Sequence, residues 1–328
     1  MDWNFTRAVV TGGAGFVGSH LCERLLSLGT QVVCVDNFTT GDRENLWELL
    51  KTPGFSLLEA DVTRWPSEPP GPIDLVLHLA CPASPRDYLR LPFETLAAGS
   101  AGTAWALDLA RRHHARFLLA STSEVYGDPE QHPQREDYWG NVNPIGPRSV
   151  YDEAKRYAEA YTAAARREWE ADVTIARIFN TYGPRMRADD GRMIPAFIGQ
   201  ALRGEPLTVA GSGTQTRSIC YVDDTVSGLL ALAAGAHSGP VNIGNPHELT
   251  VLAIAEEIRR LTGSESPIAR IAAAEDDPRR RCPDIGLARA ALGWAPEIGP
   301  AEGLARTIDW FAARTSPARE TEKIGGNR

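Results

Sequence analysis

The first part of the chain alternates apolar strands with amphipathic helices. Residues 7–11 read Arg-Ala-Val-Val-Thr and precede glycines, which is typical of a β-strand that ends in a turn. Residues 16–28 carry apolar side chains at helical spacing, and Gly29 follows them as a C-terminal cap. Residues 31–35 are almost wholly apolar, which indicates a strand of a parallel sheet that is covered on both faces.

The alternation continues to about residue 180. Short apolar runs predict further strands at residues 55–59, 73–80, 117–121 and 173–178. Helical spacing predicts further helices at residues 44–50, 92–114 and 151–167. Strands that alternate with helices form right-handed βαβ units, so the pattern predicts an α/β fold with a Rossmann-like, doubly wound parallel sheet.

Beyond residue 180, glycine and proline interrupt the pattern. Helices are predicted at residues 249–261 and 301–313, and residues 241–243 are expected to return to the main sheet. We therefore predict three parts: a Rossmann-like domain at residues 1–180, a smaller lobe mainly at residues 181–315, and a flexible tail at residues 316–328.

Composition narrows the class of protein. The chain has 328 residues, of which 43% are hydrophobic and 23% charged, as in folded globular proteins. Its net charge of −8 does not suit a nucleic-acid partner. No apolar run approaches the roughly 18 residues of a membrane span, and residues 1–7 do not resemble a signal peptide.

Cysteine usage indicates a reducing compartment. The five cysteines are widely spaced and form no C-x-x-C motif, so we expect neither a disulfide framework nor a metal site. Buried, unpaired cysteines are typical of cytosolic proteins, and we therefore predict a cytoplasmic location.

A glycine-rich turn follows the first strand and predicts a dinucleotide site. Gly13, Gly15 and Gly18 form G-x-G-x-x-G, and Gly12 extends the motif, between a predicted strand and a predicted helix. Glycines let the backbone approach a pyrophosphate, which binds at the helix N-terminus. Asp36 ends the second strand, where a carboxylate binds the ribose 2′-hydroxyl and repels a 2′-phosphate. The predicted cofactor is therefore NAD in preference to NADP.

A tyrosine and a lysine share one face of a later helix. Tyr151 and Lys155 stand four residues apart, and Ser149 with Asp152 predicts a capping box at the start of this helix. Tyrosine, with a pKa near about 10, is a poor base at neutral pH. A lysine ammonium and an oxidised nicotinamide beside it would favour the phenolate.

Polar residues directly after the fifth strand complete a candidate catalytic site. Ligands bind at the carboxyl ends of the strands in such sheets. Thr122 is placed to hydrogen-bond a substrate hydroxyl, and Glu124 adds a carboxylate for acid–base or positioning work.

Several longer motifs resemble the UDP-glucuronic acid decarboxylases, a family within the extended short-chain dehydrogenase/reductase superfamily. The motifs that carry this resemblance lie at residues 36–41, 78–85, 121–129, 136–140, 143–147, 177–186, 204–209, 215–217 and 276–284. The related 4,6-dehydratases usually carry Thr-Asp-Glu at the catalytic strand end, whereas residues 122–124 read Thr-Ser-Glu, as in the decarboxylases. The resemblance covers nearly the whole chain, and it implies that residues 1–180 form the NAD-binding domain and residues 181–315 mainly the nucleotide-sugar-binding lobe.

The resemblance implies site residues. Those expected to bind NAD are Gly12, Gly13, Gly15, Phe16, Val17, Asp36, Asn37, Thr39, Thr40, Gly41, Asp61, Val62, Leu79, Ala80, Cys81, Tyr151 and Lys155. Those expected to bind the UDP-sugar are Pro82, Ala83, Ser84, Tyr88, Asn180, Arg185, Leu207, Val209, Arg217 and Arg281. The catalytic group is expected to comprise Thr122, Ser123, Glu124, Tyr151, Lys155 and Arg217.

The resemblance also implies a reaction. C4 of UDP-glucuronate is oxidised, carbon dioxide is lost through a UDP-4-keto intermediate, and C4 is reduced again to give UDP-xylose. Tyr151 is expected to take the C4 hydroxyl proton, with its pKa lowered by Lys155 and its hydrogen bond shared with Thr122. Glu124 and Arg217 are expected to act at C5 and the carboxylate. Family members pair two helices across a homodimer, here the helices around residues 101–112 and 151–167, including Trp105, Tyr157 and Tyr161.

Three alternatives remain open. In the first, the enzyme releases UDP-4-keto-pentose and NADH as its main products. In the second, it is another UDP-sugar 4-epimerase or dehydratase. In the third, the protein is an NAD sensor without enzymatic activity. The retained catalytic residues argue against the sensor. Two departures bear on turnover and substrate preference, because the family usually has Lys at position 97 and Asn at position 99, where this chain has Ala97 and Gly99.

Overall fold

A computed structural model describes residues 3–189, 191–272 and 280–315. The predicted tail at residues 316–328 lies outside the described residues, as do residues 276–279 of the motif at residues 276–284.

The strands of the described residues fall into one large sheet and three small ones. They are β1 (Arg7–Thr11), β2 (Gln31–Asp36), β3 (Phe55–Glu59), β4 (Leu75–His78), β5 (Arg116–Thr122), β6 (Val173–Ile178), β7 (Thr181–Tyr182), β8 (Leu207–Ala210), β9 (Thr216–Ser218), β10 (Cys220–Tyr221), β11 (Pro240–Ile243), β12 (Glu248–Thr250) and β13 (Ile268–Ile271). Three two-stranded pairs, β7 with β10, β8 with β13 and β9 with β12, build the later part of the chain.

The large sheet has seven parallel strands in the order β11-β6-β5-β4-β1-β2-β3. Thr11 at the end of β1 lies beside Val35 of β2 and His78 of β4. The strand order changes direction between β1 and β4, which opens a crevice at the carboxyl ends of the strands. The doubly wound parallel sheet predicted from the sequence is therefore confirmed.

Helices cover both faces of this sheet. The α-helices of the described residues are α1 (Phe16–Ser27), α2 (Pro85–Arg90), α3 (Pro92–Ala97), α4 (Thr103–His113), α5 (Ser149–Trp169), α6 (Met193–Arg203), α7 (Val222–Ala234), α8 (Val251–Thr262), α9 (Gly286–Leu292) and α10 (Pro300–Thr315). None of them is both long and apolar enough to cross a membrane.

Alternate residues of the central strands supply two separate cores. Val10 of β1 packs with side chains of α1 and α7 on one face, whereas Val9 packs with side chains of α4 and α5 on the other. Successive side chains of a strand point to opposite faces, so a strand that is apolar throughout feeds both cores.

Some predicted elements must be corrected. Residues 44–50 do not form one helix but two 3₁₀ turns, Arg43–Leu46 and Leu49–Lys51. The helix predicted at residues 92–114 is interrupted by a π-helical segment, Ala98–Gly102. The capping box at Ser149 is absent, because α5 begins at that residue itself and no side chain of the described residues caps it.

Trp105 also needs correction. It is buried in the core under α4, and its indole Nε1 donates a hydrogen bond to the Pro66 carbonyl at 3.2 Å. It is therefore unavailable for the interface between subunits in which it was expected to take part.

Candidate active site

A cavity of about 950 Å³ opens where β1, β2, β4 and β5 end. It is lined by most of the predicted site residues, namely Gly12, Gly15, Phe16, Val17, Asp36, Asn37, Thr39, Thr40, Gly41, Asp61, Val62, Leu79, Ala80, Cys81, Pro82, Ala83, Ser84, Tyr88, Thr122, Ser123, Glu124, Tyr151, Lys155, Asn180, Arg185, Arg217 and Arg281. The residues predicted for the cofactor and those predicted for the sugar thus line one continuous cavity.

The glycine loop fits a dinucleotide phosphate. Gly12 has a φ of +71°, and a Cβ atom at this residue would lie 2.8 Å from the Ala80 amide nitrogen, so only glycine lets the loop pack against the end of β4. The N-terminus of α1 follows at Phe16, and no side chain of the described residues caps it. Its free N–H groups and positive dipole suit an anionic ligand such as the NAD pyrophosphate.

Asp36 connects this loop to the turn after β2. One carboxylate oxygen accepts a hydrogen bond from the Ala14 amide at 2.9 Å, and the other accepts one from the Phe38 amide at 2.8 Å. Burial raises the pKa of Asp36, while these amides and that of Asn37 oppose the shift. The carboxylate therefore has a structural role in shaping the site besides its predicted contact with ribose.

Gly13 is a correction to the predicted NAD contacts. It does not line the cavity but lies beneath the loop, where a Cβ atom would approach the Cys34 sulfur to 2.6 Å. Its glycine is explained by packing against β2.

Tyr151 and Thr122 meet at the floor of the cavity. Both side chains line it, and the Tyr151 ring stacks on Tyr88 with ring centroids 5.3 Å apart. Lys155 Nζ lies 5.9 Å from the Tyr151 ring centre and donates a hydrogen bond to the Ala120 carbonyl at 2.8 Å. The predicted Thr–Tyr–Lys grouping is thus present.

Burial has the largest effect on the pKa of Tyr151. Burial raises the pKa of Tyr151 well above its usual range, the charge of Cys81 adds to the rise, and the Thr122 hydrogen bond opposes it. The lowered pKa expected from Lys155 is therefore not reached by the protein by itself.

Glu124 is held between two arginines. Arg148 Nη2 donates a hydrogen bond to one carboxylate oxygen at 2.6 Å, and Arg281 Nη1 forms an ion pair with the other. Burial alone would raise the pKa of Glu124, but the charges of Arg281 and Arg148 outweigh it and lower the pKa to about 2. Glu124 is therefore ionised in the protein alone.

Arg148 is the principal residue that sequence reasoning missed. It comes directly before α5 and lines the cavity. The only signal in the sequence is its place between the motif at residues 143–147 and the Tyr151 helix. Arg281, expected on the UDP, instead contacts Glu124 and donates a second hydrogen bond to the Gly127 carbonyl at 3.1 Å.

The cavity is also lined by the remaining predicted substrate residues Asn180, Arg185 and Arg217. Arg185 pairs with Glu23 at 2.5 Å, while its other terminal nitrogen, Nη1, is buried and has no hydrogen-bond partner among the described residues. An unsatisfied guanidinium nitrogen of this kind suits an anionic ligand such as a diphosphate.

Leu207 and Val209 must be corrected. Both are buried in the core, whereas Thr208 and Ala210 of the same strand line the cavity. Side chains alternate along β8, so the two predicted side chains face away from the cavity.

The chain belongs to the NAD dependent epimerase/dehydratase family, whose sequence profile matches residues 8–244. Within that family it is similar to UDP-glucuronic acid decarboxylases. It is 51% identical to UDP-glucuronic acid decarboxylase 4 of Arabidopsis thaliana over 94% of this chain and 69% of that protein. It is also 51% identical to UDP-glucuronic acid decarboxylase 1 of Danio rerio, over 98% of this chain and 75% of that protein.

Solved structures support the same family. A UDP-glucuronic acid 4-epimerase from Bacillus cereus, in complex with UDP-glucuronic acid and NAD, is 26% identical, with a TM-score of 0.84 over 94% of this chain and 100% of that chain. A dTDP-glucose 4,6-dehydratase from Streptomyces venezuelae with NAD bound is 28% identical, with a TM-score of 0.84 over 94% and 97%. The predicted family and the predicted NAD cofactor are thus confirmed.

Proposed function

We propose that this protein decarboxylates UDP-glucuronate to UDP-xylose and uses NAD as a catalytic cofactor. The observation that carries the proposal is the Thr122, Glu124 and Tyr151 grouping in one cavity with the glycine loop. The substrate is assigned from the relatives, which are 51% identical to this chain and are named UDP-glucuronic acid decarboxylases.

Different residues of the chain act at C4 and at C5 of the sugar. NAD, when bound, supplies the oxidation of C4 and its later re-reduction. Tyr151 takes the proton of the C4 hydroxyl and returns it, while Thr122, which lines the same cavity, orients the hydroxyl groups that exchange it. Lys155 is held by the Ala120 carbonyl beneath the tyrosine ring.

Glu124 and the two arginines that bind it act on C5 and its carboxylate. In the 4-keto sugar this carboxylate lies β to a carbonyl, so loss of carbon dioxide leaves a stabilised enolate. Arg148 and Arg281 are the cations that line the cavity next to Glu124. They orient the carboxylate, and Glu124 assists when C5 receives its proton.

The test is to incubate the purified protein with UDP-glucuronate and NAD and to analyse the nucleotide sugars by mass. UDP-xylose with carbon dioxide supports the proposal. UDP-4-keto-pentose with free NADH identifies the first alternative. A product of unchanged mass identifies a 4-epimerase, which would overturn the proposed decarboxylation.

We also propose a homodimer built on α4 and α5. Its support is an aromatic surface on α5, where Tyr157 is 48% and Trp169 43% exposed. Such exposed aromatic side chains are enriched in interfaces between subunits. A cytoplasmic location is proposed on the five free cysteines, and fractionation of the producing cells tests it.

A further inference from the structure

Asp152 is a buried acid beside the catalytic tyrosine. It lies in the first turn of α5 and is only 6% exposed. Its Oδ1 atom is buried and has no hydrogen-bond partner among the described residues. An ionised carboxylate with a buried oxygen that lacks a hydrogen-bond partner is costly, so this environment favours the protonated acid.

The surroundings of Asp152 contain one anion and two cations. Glu124 is ion-paired with Arg148 and with Arg281, and all three line the cavity. The titratable or charged groups that act on Asp152 are Glu124 after β5, Arg148 before α5, Arg281 from the later part of the chain and Glu153 on its own helix, with the Tyr88 hydroxyl of α2 in the same environment.

We propose that Asp152 is a positioning residue for substrate selection, which carries a proton so that the two arginines keep one unbalanced positive charge for the carboxylate of the sugar. This inference rests on the proposed function. Asp152 is not among the described residues that line the cavity, and it therefore acts through the arginines and not by touching the substrate.

Counting charges gives the physical reason. With a neutral Asp152, Glu124, Arg148 and Arg281 sum to one positive charge, which the substrate carboxylate balances. With an ionised Asp152 the cluster is already neutral, so a further carboxylate would enter as an uncompensated buried charge. Loss of carbon dioxide removes this carboxylate, and the site then binds the product less tightly than the substrate.

The pKa values of the cluster agree with a protonated Asp152 beside an ionised Glu124. Burial raises the pKa of Asp152 to about 7, the charge of Glu124 adds to the rise, and Arg148 and Arg281 oppose it. Glu124 has a pKa of about 2 and Tyr88 one of about 12. Between pH 6 and pH 8, Asp152 is therefore the member of this group whose charge changes.

The experiment measures binding to the NAD-loaded Tyr151→Phe enzyme, which holds back turnover, by calorimetry at pH 6 and pH 8. UDP-glucuronate is compared with UDP-glucose, which carries a neutral group in place of the carboxylate. If only the protonated form binds the carboxylate, affinity for UDP-glucuronate falls about tenfold between these pH values, while affinity for UDP-glucose stays constant.

The variant Asp152→Asn, made in the same background, is uncharged at both pH values. It is expected to bind UDP-glucuronate with equal affinity at pH 6 and pH 8. Glu153→Gln is the matched control, because it removes a carboxylate from the same turn that pairs instead with Arg156, and it keeps the pH dependence.

Two results overturn the inference: a pH-independent affinity for UDP-glucuronate in the Tyr151→Phe enzyme, or an unchanged tenfold fall after Asp152→Asn. The first comparison needs no change at Asp152, so it decides even where that variant fails to fold. Failure of the proposed function is distinguished separately, because UDP-glucose would then bind while UDP-glucuronate binds at neither pH.

Discussion

Tyr151 is a buried phenol that lines the cavity together with Thr122. Replacing Tyr151 by Phe removes the hydroxyl and keeps the ring that stacks on Tyr88. We expect NADH formation and carbon dioxide release to fall together by about 10²–10⁴-fold, because decarboxylation needs the 4-ketone first. Parallel measurement of NADH absorbance and carbon dioxide checks this. Release of carbon dioxide at the wild-type rate would contradict an oxidation-first mechanism.

Glu124→Gln separates the second half of the reaction from the first. The amide keeps the shape of the side chain but loses the charge shared by Arg148 and Arg281. We expect C4 oxidation to be partly retained and the steps at C5 to be impaired, so carbon dioxide release falls more than NADH formation. The same two assays give the ratio. An equal loss of both signals would place Glu124 in the oxidation step instead.

Asp36 predicts the choice of cofactor. Its carboxylate lines the cavity at the end of β2, where it would repel a 2′-phosphate. We therefore expect a much lower dissociation constant for NAD than for NADP, measured by fluorescence titration of the purified protein. Comparable constants for the two dinucleotides would disprove this role of Asp36.

At the level of single residues, the sequence predicts best where the chemistry is local. Tyr151 and Lys155 lie one helical turn apart, and Asp36 is placed by the strand that it ends, so spacing alone locates them. The contact between Arg281 and Glu124 spans 157 positions and depends on how the later part folds back. Arg148 was missed because neither helical spacing nor strand position marks a loop residue.

Among the elements, the π-helical segment Ala98–Gly102 interrupts the helical stretch between α3 and α4. The family usually has Asn at position 99, and the distortion is present here with glycine. A Cβ atom at Gly99 would lie 2.6 Å from the Ala154 carbonyl oxygen and 2.7 Å from its Cβ atom. The segment therefore lies in close contact with α5, the helix of Tyr151 and Lys155.

Gly99→Ala tests this contact. Alanine in place of glycine stabilises an unhindered helix by about 1 kcal/mol. Here we expect the opposite sign, a loss of about 1–3 kcal/mol in the free energy of unfolding, because α5 must move to admit the methyl group. Urea denaturation measures it. Ser100→Ala, the neighbouring control, should change the free energy of unfolding by no more than about 0.5 kcal/mol, and a stabilised Gly99→Ala variant would contradict the predicted clash.

Element boundaries show where pattern reasoning stops. β1, β3 and β6 begin and end at the residues predicted for them. The residues of β8 lie largely within the motif at residues 204–209, but the sequence did not show which of its side chains are buried. A strand of four residues is too short for its pattern to distinguish the buried face from the face that lines the cavity. Only packing of the later part against α6 and α8 resolves that question.

For the whole molecule, we expect a homodimer in solution, with twice the mass of one chain by light scattering at micromolar concentration. Tyr157→Arg should shift the mass toward the monomer, because it places a charge in the aromatic surface of α5. Trp47→Arg is the control, since Trp47 is also exposed but follows the 3₁₀ turn Arg43–Leu46 after β2. A monomeric wild-type protein would refute the proposed assembly.

The overall architecture was the most predictable level, because strands that alternate with helices leave few ways to build a sheet. The return of the chain at β11, next to β6, was expected from residues 241–243. The helices α6 and α7 were not predicted. Both are rich in residues that serve either a strand or a buried helix, and periodicity alone does not separate the two.

The contact of Gly99 with Ala154 also has an evolutionary consequence. Restoring the asparagine typical of the family at this position is not a neutral single step, because the side chain has no room while α5 keeps its present place. A compensating change in α5 would have to come first or at the same time. The two helices are therefore expected to show epistasis, and exchanges with relatives should succeed as a linked pair of segments and fail one residue at a time.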